Sequence, residues 1–146
     1  MALVDFIPEE GQKKIVASIA AAEKKTSGEI RIHIEPKCKK NAYDRAVDVF
    51  NELKMYATKQ RNGVLVYVAY KSHVFAIIGD KGINDKVGAG FWNKEKETLA
   101  GYLSQGNPVE GLCTVVKQIG DSLSEFFPWQ EDDVNEQSDE ISYKEE

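Results

Sequence analysis

Between residues 63 and 79 the chain leaves itself little choice of structure. Gly63-Val64-Leu65-Val66-Tyr67-Val68-Ala69-Tyr70 is nearly all apolar, His73-Val74-Phe75-Ala76-Ile77-Ile78-Gly79 follows, and only Lys71-Ser72 lie between them. A β-branched, aromatic run of that length reads as a strand covered on both faces, and two residues are too few for a crossover. The pair therefore predicts an antiparallel hairpin.

Upstream, Glu29-Ile30-Arg31-Ile32-His33-Ile34-Glu35 alternates strictly and stops at Pro36, the pattern of a half-buried strand with its three isoleucines on one face. Helical spacing surrounds these runs. Ile15, Ile19 and Ala22 recur in a helix over about residues 8–25, opened by Pro8-Glu9-Glu10 and broken by Thr26-Ser27-Gly28. Ala42, Ala46, Val49, Phe50 and Leu53 mark a second over about 41–58. Ile83 to Val87 reads as one helical turn, interrupted by Gly88-Ala89-Gly90. A helix then runs from Phe91-Trp92 to about Ser104, and a last one starts at Asn107-Pro108 with Leu112, Val115, Val116, Ile119, Leu123 and Phe126 along one stripe. The order α-β-α-β-β-α-α predicts an α/β fold: a small mixed β-sheet flanked by helices on both faces, its first two strands parallel through a right-handed crossover.

Net charge is −5, yet residues 129–146 hold eight acids against Lys144, or −7, which leaves the body at +2. That stretch has no apolar periodicity, so the expectation is a folded domain over 1–128 and a disordered acidic tail over 129–146, a solubilising segment or a dock for a basic partner. No stretch reaches the roughly 18 to 20 apolar residues of a membrane span, and Met1-Ala2-Leu3-Val4-Asp5 lacks the features of a signal peptide. A cytoplasmic location is expected. Cys38 and Cys113 show no zinc spacing and read as reduced thiols. Lys37, Lys39, Lys40 and Arg45 lack the interleaved aromatics of a nucleic-acid surface, so no nucleic-acid partner is expected. Trp92 reads as a core anchor, and His33 and His73 as packed or solvated strand residues.

The predicted topology gathers Ser27-Gly28-Glu29, Arg61-Asn62-Gly63 and Gly79-Asp80-Lys81-Gly82-Ile83-Asn84-Asp85 at one sheet edge. Hard cations take six or more oxygens from carboxylates, amides, carbonyls and water, and this set lacks the sulfur and imidazole that suit zinc. Glu29, Asp80, Asn84 and Asp85 are therefore the candidate ligands for Ca²⁺ or Mg²⁺. The alternative is structural, with Asp80 and Asn84 as turn or cap residues and Glu29 as a solvated strand end. Gly79-x-x-Gly82 fits neither nucleotide-binding glycine pattern.

Thr26-Ser27-Gly28-Glu29-Ile30-Arg31-Ile32, Asn62-Gly63-Val64-Leu65-Val66-Tyr67-Val68 and Ala76-Ile77-Ile78-Gly79-Asp80-Lys81-Gly82-Ile83-Asn84, in that order, resemble the TPM domain family over about residues 8–128. The resemblance implies an α/β sandwich whose acidic edge binds Ca²⁺-like ions, and acid phosphatase activity is ascribed to some members. Glu29, Asp80 and Asp85 match the family's strand-1 Glu, its post-strand acidic turn and its following helical-turn Asp. Two departures stand out: relatives often carry a signal peptide and an anchor, and Lys71-Ser72-His73 replaces their usual Asp-Asp-Arg hairpin tip. The function implied is a divalent-metal-binding accessory module with an unidentified protein partner, membrane-associated by analogy with relatives. The alternative is a metal-dependent acid phosphatase acting on phosphate monoesters.

Overall fold

The computed structural model describes residues 2–131 and 136–144. In chain order the elements are α1 (Leu3–Phe6), α2 (Glu9–Glu23), β1 (Glu29–Glu35), α3 (Ala42–Glu52), β2 (Gly63–Ala69), β3 (Val74–Gly79), α4 (Lys81–Asn84), α5 (Asn93–Ser104), α6 (Pro108–Ser124) and β4 (Ser142–Tyr143). The strands lie in the order β3-β2-β1-β4. β1 and β2 are parallel, with Glu29 opposite Gly63, and β3 runs antiparallel to β2, with Val64 opposite Gly79. The expected mixed α/β sheet is thus present, and its register brings the starts of β1 and β2 to the same end as the close of β3.

Two apolar layers enclose the sheet. Ile30, Ile32, Ile34, Val64 and Val66 face α2 and α6, which contribute Ile15, Ile19, Leu112, Val115 and Ile119. On the opposite face Leu65, Tyr67, Ala69 and Ile78 pack under Ala46, Val49 and Phe50 of α3, together with Met55. β2 serves both layers, which is why all seven of its residues are buried and why it reads as a continuous apolar run. Trp92 is buried in the α2/α6 layer, as its core reading required. Among the described residues no helix is long and apolar enough to cross a membrane.

Three local expectations need correction. The opening residues, not assigned to any element from the sequence, form α1 and bury Leu3 and Ile7. The helix expected over 41–58 ends at Glu52, because Lys54 takes a left-handed backbone with φ 54° and turns the chain away. Finally, residues 136–144 are not a solvated extension. Ser142 and Tyr143 pair in parallel with His33 and Ile34, and the Lys144 N–H donates to the Ile34 carbonyl at 2.9 Å. The expectation of disorder for residues 132–135 and 145–146 lies outside the described residues.

Candidate functional site

The chain enters β1 through a tight turn. Thr26 Oγ1 donates to the Phe127 carbonyl and accepts from the Gly28 N–H, while the Glu29 N–H bonds to the Asn62 carbonyl at 3.3 Å. Glu29 is then only 3% exposed, and its Oε1 accepts the N–H groups of Glu136 and Gln137, the latter at 3.2 Å. Backbone donors of the C-terminal segment thus close over the carboxylate. Beside it, Glu23 of α2 accepts the Ile30 N–H at 2.8 Å and shares a hydrogen bond with Asp139. Burial, then Asp139 and the Glu29 carboxylate, push Glu23 well above the usual carboxylate range. Burial likewise raises Glu29, with the backbone donors of residues 136 and 137 opposing the rise.

Asp80 sits on the far side of β2, where β3 turns into α4. Its N–H bonds to the Gly63 carbonyl at 2.9 Å, and it caps α4 by accepting the Lys81 N–H at 2.7 Å. Both carboxylate oxygens are engaged by Arg61, Nε to Oδ2 at 2.7 Å and Nη2 to Oδ1 at 2.9 Å. Arg61 reaches it from a left-handed backbone, φ 50°. Asp85 pairs with Lys81 at 2.6 Å on the surface, and Asn84 Nδ2 donates to the Gly79 carbonyl at 3.1 Å.

The four candidate ligands therefore share one end of the sheet but divide into two neighbourhoods. Glu29 lies with Glu23 and the C-terminal segment; Asp80, Asn84 and Asp85 lie on the β3–α4 turn, each with a partner of its own. Among the described residues no three His, Cys, Asp or Glu side chains are grouped as a ready metal cage. A buried amide also lies at the start of β1. Asn62 is 1% exposed, its carbonyl already binds the Glu29 N–H, and its Oδ1 has no hydrogen-bond partner.

A second polar cluster escaped the sequence reading. At the close of β1, Glu35 accepts Arg45 Nε and Nη2, each at 2.9 Å, and the Tyr67 hydroxyl at 2.6 Å, and it bonds His33 Nε2 at 3.0 Å. His33 Nδ1 meets Ser142 Oγ at 2.9 Å, so the same cluster reaches β4. Burial alone would raise Glu35, but the donors outweigh it and hold the carboxyl at about 2. The signal was present in β2: Leu65 and Tyr67 lie on the face of Arg31, His33 and Glu35, so that face had to be covered and its charges paired.

Residues 136–144 supply bonds but little apolar area, which predicts the outcome of removing the chain after residue 130. Truncation after Gln130 is expected to leave a cooperative urea transition and to lower stability by about 1–2 kcal/mol, the net worth of a few hydrogen bonds offset by the freed chain entropy. A non-cooperative transition would show that the segment is part of the folding unit.

Comparison with known proteins agrees with this architecture. The solution structure of the BA42 protein from the psychrophilic bacterium Bizionia argentinensis sp. nov. superimposes with a TM-score of 0.90 at 45% identity, over 95% of this chain and 96% of that one. No curated protein sequence matches. The model of the TPM domain matches residues 3–122, nearly the whole helix-and-sheet body, and the chain belongs to the TPM domain family.

Proposed function

We propose that this chain is a divalent-cation-binding accessory module, with Ca²⁺ or Mg²⁺ held at the start of β1 on Glu29. The supporting observation is that Glu23 meets both Glu29 and Asp139, although the three do not form a ready cage. Carboxyls in contact, with Glu29 buried and Glu23 and Asp139 half-buried, resist joint ionisation unless positive charge arrives, and a hard cation supplies that charge together with a demand for oxygen ligands. The unpartnered Asn62 Oδ1 is an oxygen of the required kind on a residue whose backbone bonds Glu29. Glu29, Glu23 and Asn62 would hold the ion. Asp80, Asn84 and Asp85 would join only if the Asp80–Arg61 and Asp85–Lys81 pairs opened.

A protein partner suits the surface better than a nucleic acid does. Two of the basic side chains of the 37–45 region are already committed, Lys40 to Asp48 at 2.7 Å and Arg45 to Glu35. The phosphatase alternative draws less support, because Arg61 occupies both oxygens of Asp80.

Titration with Ca²⁺, and separately Mg²⁺, followed by amide chemical shifts is expected to give saturable changes at Glu23, Glu29, Asn62 and residues 136–139. At a hundredfold excess over Kd the ion should stabilise the fold by about 2.7 kcal/mol. Glu29→Gln keeps an acceptor for the two backbone N–H groups and should weaken ion binding at least tenfold. Unmoved shifts and melting temperature at millimolar ion would sink the reading.

A further inference from the structure

The opposite end of the sheet holds a cavity of about 530 Å³, beside the β2–β3 hairpin at the carboxyl end of the parallel strand β2. In open α/β sheets ligands settle outside such ends, and the volume lies within the roughly 300–1,000 Å³ of small-molecule sites. We propose that this cavity binds a small, planar aromatic molecule that carries one hydroxyl group and no negative charge.

The walls argue for a ring. Phe6 of α1 stacks on Tyr70, with centroids 4.9 Å apart and planes inclined by 17°, and this flat pair forms one side of the cavity. Val68 and Phe75 from the β2–β3 hairpin and Leu103 from α5 complete the apolar interior. Phe6, Phe75 and Leu103 are each only half-buried although they belong to the main core layer, so their remaining exposed surface is what an apolar guest would cover. A third ring laid against an existing aromatic pair gains offset stacking as well as burial.

The rim argues for the hydroxyl. Asp5 and His73 both line the cavity and both are exposed. His73 is at the hairpin tip in a left-handed conformation, φ 56°, uncommon for a residue with a side chain. Asp5 Oδ2 accepts the Ala2 N–H at 2.9 Å, and a carboxylate has lone pairs for further donors. A hydroxyl can donate to Asp5 and accept from an imidazole N–H. A carboxylate on the guest would meet Asp5 with like charge, so the guest carries no negative charge.

The test uses the full chain and para-cresol, followed by amide shifts. Saturable changes at Phe6, Tyr70, His73, Phe75 and Leu103 are expected, with Kd between high micromolar and low millimolar. Ala100 also lines the cavity and is exposed on α5, so Ala100→Trp fills the space at a tolerant position and should raise Kd at least tenfold. Phe6→Leu keeps an apolar wall without the ring and should weaken binding at least threefold, as should replacing para-cresol by cyclohexanol. Shifts that fail to saturate or fall elsewhere would overturn the proposal. So would an unchanged Kd in a folded Ala100→Trp protein, or cyclohexanol binding as tightly as para-cresol.

Discussion

Arg45→Met is expected to destabilise the fold by about 3 kcal/mol and to flatten its loss of stability below pH 4.5. Arg45 makes two of the four bonds to Glu35, whose side chain is 4% exposed, and methionine retains the packing stem while removing the charge. Removing one partner of a buried pair strands the other, a loss of about 3–5 kcal/mol; Arg45 is 16% exposed, which places this case at the lower end. Urea denaturation at neutral pH would measure it. An Arg45→Met/Glu35→Gln double variant should recover part of the loss, because the uncompensated charge is then gone.

The pH dependence follows from the same cluster. Glu35 titrates at about 2 in the native state against an ordinary 4.5, so between these values the unfolded chain binds the extra proton. Stability from Glu35 is therefore complete above about 4.5 and is lost as pH falls toward 2. Burial also lowers His33, and this acts in the same sense: the unfolded chain takes up the proton first as pH falls through the ordinary histidine value of 6.5. In Arg45→Met the native carboxyl rises toward its unfolded value, so the part of the acid limb below pH 4.5 that comes from Glu35 should shrink. Superimposable stability profiles for the two proteins would contradict this account of the cluster.

Gly82→Ala is expected to cost about 2–3 kcal/mol, as forced overpacking against atoms that cannot turn aside. A Cβ at Gly82 would collide with the Gln60 carbonyl oxygen and come within 2.6 Å of the Arg61 carbonyl oxygen, both of them backbone. The Gly82 N–H already bonds that Arg61 oxygen at 2.8 Å, so the first turn of α4 would have to lift away and draw Asp80 from Arg61. Gly88→Ala is the control: nothing lies within 4 Å of its added Cβ, and the change should stay within about 0.5 kcal/mol. Equal thermal shifts for the two variants would show that the close approach of α4 to residues 60–61 is not what restricts position 82.

The two glycines look alike in the sequence, and the same limit shaped the reading of the whole chain. The two-residue link between the runs at 63–70 and 73–79 dictated an antiparallel pair, and the helix between the first two strands dictated a parallel one. Those two facts sufficed to place Glu29 and Asp80 at one end of the sheet. Alternation in β1 separated Ile30, Ile32 and Ile34 from Arg31, His33 and Glu35, but it could not say that α3 would cover the second face, where Glu35 is buried with Arg45 and Tyr67.

Hydropathy likewise gave no sign that the acidic C-terminal segment would return to β1, since its attachments are mostly polar: backbone N–H groups on Glu29, side-chain bonds such as Ser142 to His33, and a two-residue strand. The sequence by itself determined the elements, their direction and which residues share an end of the sheet, because periodicity and link length act along the chain. Only the tertiary structure decided which donor each carboxylate meets, separating Glu29 from Asp80 and Asp85. Hydrogen bonds and ion pairs are chosen within a few ångströms through space, between residues such as Glu29 and Gln137 that are remote in the chain.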